Sequence, residues 1–590
     1  MAESILTVFR RNALKFGNKP CFHFKSGGRW QQVSWVDAEE QVRRYALGLA
    51  GMGIKLGDKV ALLSKTRLEW TLLDLAILAN QAITVPVYAT LAADQIAYII
   101  NDSDTRLLIV ENVTKWNRVA PHLKNFSGAV ILMDGSQEGL LPLEHLPQKG
   151  KGLPVNLYDE NLKQIQPSHT ATIVYTSGTT GPPKGAIITH RNILAEMNAL
   201  QAVFKFGFDD VGLMCLPLAH VIARAMQFYQ LAQGCQSAYA ESLDMLSVDM
   251  REIRPSFMAG VPRLFEKMHE TILTKTNRVS PMLQKLFSWS LDVGLRATEL
   301  SQKKMPVGFG LRLAQSVGNL FVYRKIRKAF GGKIQCFISG GAPLQKEIAQ
   351  FLNAVGILVI EGYGLTETFA AITLNRLDDF RFGTVGKPLE GVRIKMAPDG
   401  EICAKGDTIF SGYWHLKEET EAAFDKEGWF LTGDIGEFTK DGFLRITDRK
   451  RDIIKTSGGK MVAPQNIENL MQQSRYIQQF MVYGEGKKFL SGLVTLNWHA
   501  VEDFAREEAI DYQNHDDLAQ NPQIVALIQK EIDQMNGHLS HFETIRKFVI
   551  LSRNFSIETG ELTPTLKIKR RQVCEKYKNV LDGLYKEHSL

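Results

Sequence analysis

Tyr175-Thr-Ser-Gly-Thr-Thr-Gly-Pro-Pro-Lys-Gly185 is the stretch whose reading decides the rest of the chain. An apolar run, Ala171-Thr-Ile-Val-Tyr175, leads in, and Ala186-Ile-Ile188 leads out, so the pattern predicts strand, loop, strand. Eight of the eleven residues are Thr, Ser, Gly or Lys. Glycines let backbone N–H groups approach a ligand closely, and successive N–H groups form an anion nest. The hydroxyls of Thr176, Ser177, Thr179 and Thr180 add donors, and Lys184 adds a point charge suited to phosphate. A kinase-type phosphate loop would end in Gly-Lys-Ser/Thr and run directly into a helix. Here Pro183 precedes Lys184, Gly185 follows it and a strand comes next, so the loop is of another kind.

Three further constellations lie downstream. Ser339-Gly-Gly-Ala-Pro343 and Glu361-Gly-Tyr-Gly-Leu-Thr-Glu-Thr368 each follow an apolar, strand-like run. Ligands of open α/β sheets gather at the carboxyl ends of strands. Tyr363, flanked by glycines, offers a face for adenine, and Glu367 offers a carboxylate to Mg²⁺. In Gly428-Trp-Phe-Leu-Thr-Gly-Asp-Ile-Gly436, Thr-Gly-Asp434 reads by itself as a common turn, with a carboxylate able to accept ribose hydroxyls, and Arg449 follows in Asp448-Arg-Lys-Arg-Asp. Near the end stands Glu561-Leu-Thr-Pro-Thr-Leu-Lys-Ile-Lys-Arg570; by itself Lys567 reads as a solvated charge beside Lys569, Arg570 and Arg571.

Taken in order, these motifs resemble the acyl-adenylate-forming superfamily of acyl-CoA synthetases, luciferases and peptide-synthetase adenylation domains. Ser457-Gly-Gly-Lys-Met-Val-Ala-Pro-Gln465, the Thr-Leu-Lys567 ending, Pro217-Leu-Ala-His220 and Gly260-Val-Pro-Arg-Leu-Phe-Glu-Lys267 resemble its long-chain fatty acyl-CoA synthetase branch. The resemblance implies an ATP-dependent fatty acid:CoA ligase that makes acyl-AMP and pyrophosphate, then acyl-CoA and AMP. It places Ser177, Gly178, Thr179, Thr180, Gly181 and Lys184 on the phosphates of ATP, and Thr176 and Glu367 on Mg²⁺. Gly340, Gly341, Ala342, Gly362, Tyr363, Gly364 and Thr366 would surround adenine and the acyl carbonyl, and Asp434 with Arg449 would hold the ribose. The catalytic set it implies is Lys567, His220, Glu367 and Thr176, with His220 beside the reacting carboxylate. Arg451 would be a hinge, and Lys455, Ser457 and Gly458 would face CoA once the lid turns. Residues 257–262 are expected to set acyl chain length. Two rivals stay open: an adenylating enzyme that loads a carrier protein or takes medium-chain or aryl acids, and a non-enzymatic membrane-associated scaffold of the same fold.

The implied fold is α/β: a large N-terminal domain of several subdomains with mixed and parallel sheets, 1–448, a hinge at 449–451, and a small α+β lid, 452–590. A chain of 590 residues exceeds one core, and 45% hydrophobic with 23% charged residues is ordinary globular material. The six cysteines are scattered, without a Cys-x-x-Cys pair, which argues against disulfides or zinc and for a reducing compartment. The first residues lack the apolar core of a signal peptide, and the most apolar stretch, 72–89, is broken by Asp74, Asn80 and Gln81, so no membrane span is expected. Between Arg263 and Lys333 stand fourteen Lys and Arg against four Asp and Glu, interleaved with aromatic and aliphatic residues. This insert reads equally as solvated helices or as a helical surface for an anionic membrane, and no nucleic-acid motif accompanies it. The expected location is cytoplasmic, with a peripheral membrane contact following only from the second of these two readings.

Overall fold

A computed structural model describes residues 3–154, 156–176, 182–450, 452–563 and 567–585. Among them, one seven-stranded sheet runs Leu141–Pro142, Ala129–Asp134, Thr105–Asn112, Lys59–Leu63, Ile83–Val87, Thr170–Thr176, Lys184–Thr189. Its pairings are parallel until the last, where the two strands that flank the opening motif close an antiparallel edge. Parallel strands covered on both faces need continuous apolar sequence. Ile83–Val87 satisfies this, being buried at every position.

A nine-stranded sheet is parallel at its centre and antiparallel at its edges. Cys336–Ser339 and Val359–Tyr363 are neighbours in it, paired Ser339 to Glu361. That register sets the carboxyl ends of both strands, and the Gly340-Gly341 and Gly362-Tyr363-Gly364 motifs, side by side. A four-stranded antiparallel sheet follows, Val392–Met396, Glu401–Gly406, Phe430–Phe438 and Leu444–Arg449, and its last ladder pairs Asp434 with Arg449. Two helices form the wall that faces the site. His190–Val203 starts in a capping box made by Thr189 and Asn192. Val221–Gln233 starts at His220 and stops at Gly234, whose φ of 74° suits a residue without Cβ.

Beyond residue 450 the core changes. A three-stranded mixed sheet, Ile477–Tyr483, Leu490–Leu496 and Ile545–Leu551, packs with its helices around Phe480, Val494 and Ile528. The buried clusters of this region recruit residues from 454 onward and none before it, whereas Leu444 and Ile446 belong to the preceding core. The expected α/β body with a smaller α+β end is therefore the observed architecture. The insert is helical as expected: Pro262–Asn277, Pro281–Gln302, Phe309–Gly318 and Arg324–Ala329, with a π-helical turn at Asn319–Tyr323. No helix among the described residues is long and apolar enough to cross a membrane.

The apolar helix Leu68–Ala79 carries Asp74, buried where an isolated carboxylate would be costly. Arg224 answers it in fork geometry, Nε to Oδ2 at 2.9 Å and Nη2 to Oδ1 at 2.6 Å, and Thr84 Oγ1 donates a third bond at 2.7 Å. The pair ties the helix Val221–Gln233, and so His220 at its start, to the first sheet's layer. Arg224→Leu, which strands Asp74 without a counter-charge, should cost about 3–5 kcal/mol, whereas Asp74→Leu with Arg224→Leu should cost less. Urea denaturation followed by fluorescence checks this; equal losses in the two proteins would contradict it.

Candidate functional site

A cavity of about 300 Å³ opens where the strand ends converge, between the strand Thr170–Thr176, the two glycine motifs and the helix Val221–Gln233. One end is polar: Thr176, Lys184, Glu367, Tyr413, Arg449 and Lys567 line it. The other is apolar, with Leu200, Phe204, Ala225 and Met226 on the two helices. Of the residues singled out in the sequence, Gly340, Gly341, Gly362, Tyr363, Gly364, Thr366 and His220 also line it.

The polar end is internally braced. Tyr413 Oη donates to Glu367 Oε1 at 2.7 Å, and Lys184 Nζ lies 5.4 Å from the centre of the Tyr413 ring. Lys184 is also paired with Glu419 at 3.1 Å. Tyr363 is buried, and its hydroxyl donates to Asp434 Oδ2 at 2.7 Å, while Arg449 Nε stands 3.4 Å from Asp434 Oδ1. Asp434 and Arg449 are thus joined across the ladder with the aromatic ring between two glycines. Burial pushes the Tyr363 phenol far up, and the Asp434 carboxylate adds to it. Thr176 and Glu367 are hard oxygen donors at the same end, the chemistry Mg²⁺ takes when substrate phosphates and water supply its other ligands.

His220 Nδ1 accepts the Ile222 N–H at 3.2 Å, which leaves the hydrogen of the neutral ring on Nε2. Burial, then the nearby charge of Lys567, lowers its pKa to about 4. Lys567 reaches the cavity from the C-terminal region, its segment closed by Thr563: Thr563 N–H donates to the Lys567 carbonyl at 2.8 Å, and Lys567 N–H to Thr563 Oγ1 at 3.0 Å.

Not every residue named from sequence is at this cavity. Ala342 follows the glycine pair but is exposed and off the wall. Lys455, Ser457 and Gly458 are exposed on the C-terminal region, where the Lys455 N–H donates to Glu485 and the Ser457 N–H to the Lys487 carbonyl. Ser177, Gly178, Thr179, Thr180, Gly181 and Arg451 lie outside the described residues. Residues 257–262 do not line the apolar end: Phe257 is sealed 4.2 Å from Phe206 and 6.4 Å from Tyr229, in the core behind the helices. Sequence reasoning missed Tyr413, Tyr88, whose ring stands edge-on 6.4 Å from His220, and Glu196. Glu196 is buried in the apolar wall and accepts the Ala371 N–H at 3.0 Å; burial holds its carboxyl well above the usual range. None of the three sits in a local motif, so the sequence carried no signal for them.

The family model described as AMP-binding enzyme matches residues 9–414, and that of the AMP-binding enzyme C-terminal domain matches 451–589. The chain is 36% identical to long-chain-fatty-acid–CoA ligase FadD15 of Mycobacterium bovis, over 95% of this chain and 93% of that protein. It is 30% identical to long-chain-fatty-acid–CoA ligase 5 of Rattus norvegicus, over 99% and 89%. Among solved structures, the adenylation domain of a carboxylate reductase from Mycobacterium chelonae superposes with a TM-score of 0.78 at 21% identity, covering 99% of this chain and 91% of that one, a likeness of fold.

The environment of His220 makes a measurable prediction. Its folded pKa lies below the roughly 6.5 of an unfolded histidine, so the unfolded chain takes the proton first as pH falls. The stability it contributes is whole above about pH 6.5 and is lost on the way down to about 4. Ring resonances of labelled His220 should titrate near 4 and shift upward in Lys567→Ala, which removes the second cause. A midpoint near 6.5 in the wild type would contradict the assignment.

Proposed function

The chain belongs to the AMP-binding enzyme family, and from that premise we propose that it is an ATP-dependent ligase joining long-chain fatty acids to CoA. The observation that carries this reading is one cavity with two ends: a polar end fit for a nucleotide triphosphate, and an apolar end, between two helices, fit for an alkyl chain. The carboxylate belongs at their junction, where His220 and Lys567 stand.

In the first half-reaction a carboxylate oxygen attacks the α-phosphorus of ATP, the bond to the β-phosphate breaks, and acyl-AMP and pyrophosphate form. The obstacle is the approach of two anions, so positioning and preorganised charge matter more than a protein nucleophile. Lys184, residues 177–181 and Arg449 would bind phosphates and ribose with Asp434, while Tyr363 and its flanking glycines would take the adenine. His220, neutral at pH 7, would donate from Nε2 to the carboxylate and add no charge of its own. Lys567 would place a cation between the carboxylate and the α-phosphate. Thr176 and Glu367 would hold Mg²⁺, which offsets triphosphate charge when bound. In the second half-reaction the CoA thiol attacks the acyl carbonyl and AMP leaves. We place the hinge at 449–451, where the buried core changes over, so that a turn of residues 452–590 withdraws Lys567 and brings Lys455, Ser457 and Gly458 to the cavity. A cytoplasmic location fits the free cysteines, all six unpaired, and an anionic membrane surface is the further partner of the basic insert.

Two variants separate the half-reactions. Lys567→Ala should slow acyl-AMP formation by about 3–4 kcal/mol in transition-state terms yet convert supplied acyl-AMP to acyl-CoA. Equal loss in both steps removes Lys567 from this role. Arg451→Pro, which fixes φ, should still release pyrophosphate but stall on CoA transfer; normal thioester formation by it would disprove the hinge.

A further inference from the structure

Half of the large apolar side chains that the described residues leave exposed fall between Val279 and Phe321, under a tenth of the chain. Surface helices normally turn their apolar stripe onto the core. The helix Phe309–Gly318 does the reverse: it buries only Gly318. Phe309, Leu313, Val317 and Leu320, spaced four, four and three apart, form one outward stripe, with Phe309 84% exposed, and Phe321 extends it. The Tyr323 hydroxyl donates to the Ser290 carbonyl at 2.6 Å, which sets this segment antiparallel to Pro281–Gln302 and brings its far end alongside the turn that carries exposed Trp289. Met282, 82% exposed, and Leu283 continue the apolar edge at the start of that helix.

Charge frames the same edge. Its acids are spent internally, Asp292 on Arg296 and Glu299 on Lys303. Lys285, Arg312, Arg324, Lys325 and Lys328 are exposed and have no ion pair among the described residues. An apolar stripe flanked by unpaired cations is the signature of a helix that lies in the interface of an anionic bilayer. A contiguous apolar patch of this kind marks an interaction site, and the cations choose lipid headgroups over a neutral protein partner.

We infer that the stripe of Phe309–Gly318, together with the exposed edge of Pro281–Gln302, is a bilayer-docking surface whose apolar side chains enter the headgroup boundary while the flanking Lys and Arg bind anionic lipid. The docking stands on exposure and charge; its use, collecting long-chain acids from the bilayer in which they reside, rests on the fatty-acid reading above.

The test uses the full chain, Phe309→Ser/Leu313→Ser/Leu320→Ser, and Arg324→Glu/Lys325→Glu/Lys328→Glu, sedimented with vesicles of phosphatidylcholine alone or with phosphatidylglycerol. The wild type should bind the anionic vesicles at low salt, and both triple variants should bind about tenfold more weakly or worse. Brominated lipid should quench wild-type fluorescence and lose that effect in Trp289→Phe. Turnover of a short, water-soluble acid should match wild type in all variants, while turnover of a vesicle-borne long-chain acid should fall in both triple variants. Serine replacements that bind like the wild type, or a wild type that ignores anionic vesicles, overturn the proposal. So does a wild-type dimer that the serine replacements split, since a second copy would then be the occupant. Absence of turnover on every acid with docking intact would instead defeat the fatty-acid reading and leave the surface standing.

Discussion

The proposed reaction imposes one constraint on this site: a carboxylate must be driven against a triphosphate, anion against anion, in a place that keeps water from the mixed anhydride formed. Two unit charges at contact distance interact by about 4 kcal/mol at an effective dielectric of 20, and this grows as water is excluded. Among the described residues, three cations line the cavity, Lys184, Arg449 and Lys567. Lys184 is engaged with Glu419, and Arg449 with Asp434. Lys567 arrives on a segment built from a separate core. The economy makes sense if strong fixed charge would also hold the products too tightly. His220 fits the same logic, for its burial keeps it uncharged while its Nδ1 is committed to the helix start, so it can offer a hydrogen without a net charge.

The rest of the architecture positions these groups. Parallel strands deliver both glycine motifs to one edge because Ser339 and Glu361 are in register, and glycine is required there for close packing. A Cβ at Gly364 would meet the Ala370 carbonyl at 1.5 Å, and one at Gly362 would press on Leu374 at 2.8 Å. Ala370, at φ 92°, and Phe369, at φ 45°, take left-handed conformations just after Glu367 and Thr368. Such strain, held where surrounding contacts over-determine it, is common beside functional groups. Glu196 receives the next N–H, from Ala371, and so steadies this turn from the apolar end of the cavity.

What was legible in the sequence was what is local. The hairpin around Lys184 and the glycine motifs after their strands are short runs in which residue type and backbone need coincide, and each was readable; the pairing of Asp434 with Arg449 across two strands came only through the family resemblance. Lys567 was readable only through family register, since nothing local separates it from Lys569 and Arg570. Residues 257–262, expected to bear on acyl chain length, do not line the cavity's apolar end: Phe257 packs behind the helices against Phe206, and Leu200, Phe204 and Met226 line that end. Helix faces buried on every side have no period that says which side meets a ligand, so sequence could not choose. The basic insert posed the opposite problem. Charge was countable, whereas the outward turn of Phe309 and Leu313 depends on tertiary packing.

The central claim is that this cavity joins a fatty carboxylate to AMP before CoA takes part. Isotope exchange between pyrophosphate and ATP measures that step alone. With a long-chain fatty acid present and CoA absent, the account predicts rapid exchange of label into ATP, none without the acid, and net release of AMP only when CoA is added. Exchange that requires CoA, or that proceeds equally without any acid, would contradict it.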